Sequence, residues 1–335
     1  MFMYVSKKWS NAEINGFARD AHARSSNIVE FSKLFGIKLH SNTIRDNGRH
    51  YKEHLCGVAE KTRRVVHSEK YGDAAEAAGY LHDAHEDVDG VVILDPCKCS
   101  LHFTESPPSV PGEHAGKLII NSELAVFGMD GGYASFIIYM ATREKHNRTK
   151  PEYVENILRA VDSAPTQELK ELATITLILK TADLDENTDS GETYDREYGL
   201  RAARMMYEVD AAQFIEQKEH AFTAKKMRFA IDNLSLFLPE IEKRLLIEPG
   251  LEGNQFNPQM ARDNPHYDYD RMKALLASVY TNSIEIFGTA FPQEIIHHIT
   301  SQIGRAKVVA GFQGYTPIIE KVNSRKEGAL QGNHE

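Results

Sequence analysis

The chain has 335 residues, 41% of them hydrophobic and 26% charged, which is typical of a folded protein with one large or two modest domains. Its net charge of -9, without a Lys/Arg-rich run, argues against nucleic acid and against an anionic membrane surface as partners. Three cysteines, no signal-peptide pattern and no long uninterrupted apolar run lead us to expect a cytoplasmic protein without a membrane span.

The N-terminal part of the chain is predicted to be a series of helices. Apolar side chains recur at helical spacing over residues 11–37, where two short helices ending at Gly36 are expected, over 51 to about 70, and over 73–87. Asp73 is the expected N-cap of the last of these helices, because Glu76 follows three residues later in a capping-box pattern. Residues 90–121 are rich in Pro, Ser and His and predict an irregular excursion, in which 91–94 is the one strand-like run.

The rest of the chain is predicted to be helical as well. Helices are expected over residues 122–128, 133–142, 151–161, 167–187, two within 194–246, 270–287 and 292–310. We therefore expect an all-α protein with a domain over 1–246, a polar linker over 247–267, and a C-terminal helical extension with a polar tail over 268–335. The extension has no readable chemistry, and either packing against the core or a homo-oligomeric contact would explain it.

The densest group of chemically active side chains lies at the end of the predicted 73–87 helix. His82 and Asp83 are followed one turn later by Glu86 and Asp87, which pairs His82 with Glu86 and Asp83 with Asp87 at i and i+4. Imidazole beside carboxylate suits a divalent metal, and a second carboxylate pair could handle its water. A charged, solvated helix end would explain the same residues.

Two other positions could complete a metal site. His54 lies on the preceding helix, and Asp183 follows an apolar run, where an isolated buried carboxylate would be costly. A satisfied histidine, and a helix that turns polar as it surfaces, are the ordinary alternatives. With His82 and Asp83 they supply two imidazoles and two carboxylates from three helices, which suits manganese, iron or another first-row divalent ion.

The order of these residues resembles the metal-dependent HD phosphohydrolases, in particular the RelA/SpoT-type (p)ppGpp hydrolase domain and its small stand-alone homologues. The matching positions are His40, Arg45, Gly48, Tyr51, His54, Val58 and Ala59, then the HDxxED residues His82, Asp83, Glu86 and Asp87, then Phe127, Gly128, Thr142 and Arg143, and finally the KxADxxxN residues Lys180, Ala182, Asp183 and Asn187. These matches fall within residues 28–245. No stretch after residue 245 resembles the synthetase half of the long enzymes, which favours a stand-alone hydrolase.

The resemblance implies an HD-domain helical bundle with one Mn2+ bound by His54, His82, Asp83 and Asp183. Glu86 and Asp87 would orient and deprotonate the attacking water. The implied substrate-binding residues are Arg45 against the purine base, Asn187 and Ser190 at the ribose and its 3' phosphates, and Tyr51, Arg143 and Lys180 nearby. The implied reaction releases pyrophosphate from the 3' position of ppGpp or pppGpp and leaves GDP or GTP.

The chain also departs from the family pattern. It has Leu184 where the family usually has arginine, Glu186 where it has histidine, and a His85 that either approaches the metal or a phosphate or lies at the surface. These departures leave another nucleotide substrate open, such as a nucleoside triphosphate or an NADPH-like dinucleotide. A nucleotide-binding regulator that has lost hydrolysis is a further alternative from a different functional class.

Overall fold

A computed structural model of the chain describes residues 8–43, 50–96, 116–142, 150–188, 237–252 and 255–287. The regular secondary structure of these residues is helical apart from two pairs of two-residue strands, so the all-α prediction is confirmed. The chain divides into two compact units. The first comprises Phe2–Glu186 with Asn264–Asp268, and the second comprises Asn187–Asp263 with Tyr269–Glu335, so the predicted boundary at residue 246 falls inside the second unit.

The first unit contains the helices that carry the predicted site residues. The helices are α1 Asn11–Arg24, α2 Ile28–Leu39, α3 Tyr51–Val65, α4 Gly72–Leu81, α5 Ala84–Asp87, α6 Ile120–Leu124, α7 Gly128–Ala141, α8 Lys150–Ser163 and α9 Gln167–Thr188, which belongs to this unit up to Glu186. The predicted helix over residues 167–187 is confirmed by α9.

Local capping chemistry explains where the first two helices begin. The Ser10 hydroxyl accepts the Glu13 N–H at 3.3 Å, and the Glu13 carboxylate accepts the Ser10 N–H at 2.9 Å, which forms a capping box at the start of α1. Asn27 caps α2 through the Glu30 N–H at 2.9 Å. These caps satisfy backbone donors that have no partner within the helix.

Two glycines let helices approach each other closely at the centre of the first unit. The prediction that the helix ends at Gly36 was wrong, because α2 continues to Leu39. Gly36 is instead a point of close packing, since a Cβ at this position would collide with the backbone of Tyr80 on α4. At Gly79 on α4, a Cβ would lie 2.5 Å from the Cα of Ala59 on α3. The helix α4, whose small side chains are buried, therefore packs tightly against both α2 and α3.

The start of α4 differs from the prediction. Tyr71 occupies the N-cap position and makes no side-chain cap hydrogen bond, so the prediction of Asp73 as the N-cap was wrong. Asp73 and Glu76 instead face Arg63 on α3, at 3.5 and 3.7 Å. These carboxylates therefore form ion pairs with a neighbouring helix and do not cap α4, although their spacing predicted a cap.

The predicted continuous helix over residues 73–87 is in fact two helices. The helix α4 ends at Leu81 and α5 begins at Ala84, so His82 and Asp83 lie at the junction. Asp83 and Asp87 keep the predicted one-turn spacing, because the Asp87 N–H donates to the Asp83 carbonyl at 2.9 Å.

A small parallel strand pair flanks residues 97–115, which lie outside the described residues. Strand β1, Val91–Val92, pairs with β2, Leu118–Ile119, so the strand-like run is confirmed at its first two residues. The Asn121 side chain extends this pairing, since its amide accepts the Leu94 N–H at 2.8 Å and donates to the Leu94 carbonyl at 3.2 Å. The two ends of the predicted excursion are therefore joined side by side.

One helical stretch among the described residues, Ile120–Ala141, is long and apolar enough to cross a membrane by length and composition. It consists of α6, a 3₁₀ turn at Ala125–Phe127, and α7. Of its most apolar window, 44% is buried inside the protein, and α7 packs against α4. The core helix of a folded domain meets the same criteria, so this stretch is weak evidence for a membrane span.

The described part of the second unit is also mainly helical. It contains α10 Leu238–Glu242, a π-helical turn Lys243–Ile247, a 3₁₀ turn Glu248–Gly250, the hairpin strands β3 Leu251–Glu252 and β4 Gln255–Phe256, α11 Pro258–Arg262 and α12 Tyr269–Phe287. The predicted helix over 270–287 is confirmed by α12, whereas the helix over 292–310 lies outside the described residues. The residues predicted as a linker form the hairpin and α11.

The short segment Asn264–Asp268 packs against the first unit. The Asp268 N–H donates to the Val65 carbonyl at 2.9 Å, and the His266 ring lies 3.2 Å from the Glu171 carboxylate. The contact at Val65 coincides with the end of α3, which is shorter than the helix predicted to extend to about residue 70. Part of the predicted linker is therefore built into the first unit.

Candidate metal centre

Three helices bring predicted metal ligands together in the first unit. His54 lies in the first turn of α3, His82 directly follows α4, and Asp183 lies near the end of α9. One ligand atom from each of these residues lies within 4.8 Å of the others. All three side chains are at most 6% exposed, and they form a buried group that could hold a divalent metal ion.

The imidazole nitrogens of this group face two carboxylates. His54 Nε2 lies 3.4 Å from Asp83 Oδ2 and 3.4 Å from Asp183 Oδ1, and His82 Nε2 lies 3.0 and 3.7 Å from the same two oxygens. Ligand atoms about 2.1 Å from a common ion lie roughly 3–3.5 Å apart, so these separations fit a shared cation. Asp83 therefore joins the other three residues as a fourth candidate ligand.

The orientation of His82 fits metal binding. Its Nδ1 lies 2.9 Å from the Gly79 carbonyl, which can only accept, so Nδ1 carries a proton and Nε2 is the nitrogen left to face the candidate ion. The Nε2 atom is buried and makes no hydrogen bond of normal geometry. A carbonyl that fixes the tautomer of a histidine and leaves its other nitrogen for an ion is a common arrangement around protein-bound metals.

The two carboxylate oxygens of Asp183 have different neighbours. Lys180, one turn earlier on α9, binds Oδ2 through its ammonium group, whereas Oδ1 faces His54 and His82. The pair leaves one oxygen directed at the candidate ion and fixes the rotation of the carboxylate. Lys180 was predicted to contact substrate; its described contact is with the candidate ligand, and a substrate contact stays a prediction.

Tyr51 links the two carboxylates of the HDxxED segment. Its hydroxyl lies 2.6 Å from Asp83 Oδ2 and 2.5 Å from Asp87 Oδ2, and its ring stacks on His40 at 4.5 Å between centroids. Burial and the two nearby carboxylates raise the pKa of Tyr51 well above its usual value, so the hydroxyl keeps its proton and donates. The contact of Tyr51 with substrate stays a prediction, whereas its contact with both carboxylates is direct.

The remaining residues of α5 differ in their surroundings. Asp87 is exposed and Glu86 is half-buried, so the predicted pair that handles water is accessible beside the buried ligands. His85 Nδ1 lies 3.1 Å from the Val91 carbonyl, and the ring is thereby turned toward β1. This hydrogen bond supports a structural role for His85 over the approach to a metal or phosphate that its position in the sequence allowed.

The electrostatics of the centre favour ionised carboxylates. Burial opposes the charged form of Asp83, but His82 and His54 outweigh burial and hold the pKa of Asp83 well below its usual range. Burial likewise opposes the charged form of Asp183, but Lys180 and His82 together outweigh burial and lower the pKa of Asp183. Burial lowers the pKa of His40 to about 4, so this ring is neutral near pH 7. The carboxylates are therefore in the protonation state that a cation requires.

Three predicted substrate-binding residues, Arg45, Arg143 and Ser190, lie outside the described residues. A fourth, Asn187, is half-buried near the end of α9, one turn after Asp183. Their roles in binding a nucleotide stay predictions. The described part of the site therefore comprises the candidate metal ligands and the carboxylates predicted to handle water, and not the residues predicted to bind a base or ribose.

One ionic group beside the centre was missed by the sequence analysis. Lys61 on α3 lies 2.6 Å from Asp185 Oδ2 and also binds the Glu186 carboxylate, both on α9. Burial lowers the pKa of Lys61, but the two carboxylates outweigh burial and raise it overall. The sequence does show that Lys61 lies two turns after His54 on the same face of α3. That Asp185 and Glu186 are the partners of Lys61 follows only from the packing of α3 on α9.

Comparison with known proteins adds no identification. No protein-family model matches the chain, and neither a curated protein nor a solved structure matches it. The functional interpretation therefore depends on the residues of the site and on their geometry.

Proposed function

We propose that this chain is an HD-type, Mn2+-dependent pyrophosphohydrolase that removes the 3'-diphosphate of ppGpp or pppGpp. The observation that supports this proposal best is the buried group formed by His54, His82 and Asp183 from three separate helices. These residues occur in the chain in the order of the RelA/SpoT-type hydrolase motifs, with Asp83 and Asp87 beside them. A group of this composition has the ligand types that first-row divalent ions bind.

The ligands proposed for Mn2+ are His54, His82, Asp83 and Asp183. When bound, the ion would supply positive charge against the phosphates and lower the pKa of a coordinated water. The Gly79 carbonyl would orient His82, and Lys180 would orient Asp183, so that both ligands are held in place before the ion arrives. Manganese is preferred over other ions because the proposed family uses it, and because two carboxylates favour a harder ion than zinc.

Asp87 is the residue proposed to take the proton of the attacking water, with Glu86 beside it. Asp87 is exposed at the edge of the buried centre, where a water molecule and a phosphate can reach it. Tyr51 donates to Asp87 and thereby holds the carboxylate in one orientation. A base held in place at hydrogen-bonding distance from the water that it deprotonates is the arrangement that general-base catalysis requires.

The guanosine part of the proposal depends on the sequence motifs. Arg45, Asn187 and Ser190 are the residues proposed to meet the base and the ribose. Arg143 and Lys180 would offset the phosphate charge in a chain whose net charge is -9.

The proposal is tested by measuring pyrophosphate release from ppGpp with Mn2+, beside GTP, dATP and NADPH. We expect turnover of ppGpp alone, which is abolished by EDTA and by Asp183→Ala and is unchanged in Asp20→Ala, an exposed carboxylate on α1. If another nucleotide is hydrolysed instead, and Asp183→Ala abolishes that activity, the assignment as a metal-dependent hydrolase stands and the assignment of ppGpp as substrate is refuted. Mn2+ binding without turnover of any of these nucleotides would refute the proposed hydrolase activity and favour a nucleotide-binding protein.

A further inference from the structure

A three-membered ionic group ties α9 to α3 directly beside the candidate metal centre. The Lys61 ammonium lies 2.6 Å from Asp185 Oδ2 and also binds Glu186. The side chains of Asp185 and Glu186 are 5% and 13% exposed and that of Lys61 is 28% exposed, so the group is largely removed from water. A mostly buried ionic group has a defined geometry, because its members have few alternative partners in solvent.

The group occupies the same stretch of the two helices as the candidate ligands. On α3, His54, Gly57 and Lys61 follow one another at helical spacing on one face. On α9, Asp185 and Glu186 come within one turn of Asp183. Any rotation or sliding of α9 that separates Asp183 from His54 would therefore also break the contacts of Lys61.

Gly57 gives a second indication that the Glu186 side chain lies closely against α3. A Cβ at this position would overlap the Glu186 carboxylate and would come within 2.7 Å of its Oε2. Glu186 thus lies directly over the backbone of α3, between the levels of His54 and Lys61. The Glu186 carboxylate thus fills the space that the missing Cβ of Gly57 leaves, and Lys61 binds the same carboxylate.

We propose that Lys61 is a positioning residue for the metal centre, which holds Asp183 at ligand distance from His54 by binding Asp185 and Glu186. The inference rests on the metal site of the proposed function, but not on the identity of the nucleotide. Metal ligands must be held to within a few tenths of an ångström, so a small displacement of α9 would weaken metal binding.

The charge of Lys61 and its positioning role predict opposite effects on metal binding. Removing a positive charge close to the centre would strengthen the attraction of a cation, since the neighbouring carboxylates would no longer be neutralised. Releasing α9 from α3 would weaken binding, because Asp183 would lose its position. Substituting Lys61 therefore distinguishes the two roles by the sign of the change.

The test uses the full chain and measures the Mn2+ dissociation constant by the EPR signal of free Mn2+. The variants are Lys61→Met, Lys61→Arg, the double variant Lys61→Met/Asp185→Asn, and Lys70→Met. The double variant has the same net charge as the unaltered group and removes one of the two carboxylates that Lys61 binds. Lys70→Met is the matched control, because Lys70 binds Glu168 near the far end of the same helix, at 2.9 Å.

We expect Mn2+ binding to weaken about 10- to 100-fold in Lys61→Met and in the double variant, as for other residues that orient metal ligands. Lys61→Arg should restore most of the affinity, and Lys70→Met should leave it unchanged. Tighter binding in Lys61→Met, or unaltered binding in the folded double variant, would overturn the positioning role while leaving the proposed function in place. No Mn2+ binding by the unsubstituted chain would overturn both.

Discussion

Asp183 illustrates how a buried carboxylate can be prepared for a cation. Its Oδ2 is bound by Lys180, and its Oδ1 lies 3.4 Å from His54 Nε2. An isolated buried carboxylate would be strongly disfavoured, and the lysine provides the compensation that allows it to remain ionised. The cost of burying the charge is therefore offset locally, and one oxygen is left for an ion.

Substituting Asp183 by asparagine should abolish the metal site. Asparagine keeps the size of the side chain but removes its charge, so we expect Mn2+ affinity to fall by more than about 100-fold. Calorimetric titration measures the loss, and thermal unfolding should show that Mn2+ no longer raises the melting temperature. Asp20→Asn, at an exposed pair on α1, should behave like the original chain. Equal affinity in the two variants would exclude Asp183 as a ligand.

Tyr51 should affect turnover more than metal binding. Tyr51→Phe removes the hydroxyl that lies 2.5 Å from Asp87 and 2.6 Å from Asp83, so we expect kcat to fall roughly 10- to 100-fold with Mn2+ affinity nearly retained. Steady-state kinetics and Mn2+ titration separate the two effects.

The control for this experiment is Tyr71→Phe. Tyr71 makes an equally short hydrogen bond, 2.5 Å to Glu171, near the other end of α4. Both substitutions remove a hydrogen bond to a charged group and should lower the free energy of unfolding by about 1.5–3 kcal/mol. A fall in kcat of the same size in both variants would show that Tyr51 acts only through stability.

At the scale of elements, the centre depends on the close approach of α3 and α4. Gly79 allows this approach, and its carbonyl also orients His82. The helix α4 ends at Leu81, and His82 and Asp83, which follow it, lie beside the candidate ligands of α3 and α9. Gly79 therefore contributes both to the packing of α4 on α3 and to the orientation of the candidate ligand His82.

Two glycine substitutions should change stability in opposite directions. Gly79→Ala would place a Cβ 2.5 Å from the Ala59 Cα, so we expect the free energy of unfolding to fall by about 1–3 kcal/mol. Gly16→Ala, in the middle of α1 with no atom within 4 Å of the added Cβ, should raise it by about 0.5–1 kcal/mol. Urea unfolding of both variants measures the difference. Stabilisation by Gly79→Ala would show that α3 and α4 do not pack as described.

At the scale of the whole molecule, the second unit contains a buried acid of its own. Glu242 is 1% exposed, its Oε2 accepts the Tyr280 hydroxyl at 3.2 Å, and its Oε1 has no hydrogen-bond partner. Burial raises the pKa of Glu242 to about 7, and this exceeds the opposing effects of Tyr280 and Lys273 on α12. The folded unit therefore holds this proton more tightly than the unfolded chain does.

This difference predicts how stability depends on pH. A raised pKa in the folded state adds stability that is fully present below the unfolded value of about 4.5 and is lost as the pH rises through about 7. The contribution is on the order of 3 kcal/mol. In EDTA, Glu242→Gln should remove this part of the pH dependence of the melting temperature, whereas Glu248→Gln, at a partly exposed pair, should not. Identical pH profiles for the original chain and Glu242→Gln would contradict the prediction.

The sequence by itself determined the helical class, the sites of most helices and the chemical types at the centre. Helical periodicity is a local property, so α9 and α12 were predicted closely. The motif positions of His54, His82 and Asp183 were equally readable, because residue type and order do not depend on packing. The helix cap was not predicted correctly from the sequence, because Asp73 and Glu76 pair with Arg63, which lies on another helix.

Only the tertiary structure decided which of these residues meet and what holds them together. The break after Leu81, the contact of Tyr51 with both Asp83 and Asp87, and the link from Lys61 to α9 all depend on helices that are distant in sequence. No local pattern encodes such contacts, because an ionic or hydrogen-bonding side chain takes the partner that packing brings within reach. The sequence thus determined the candidate ligands, and packing determined how they are arranged.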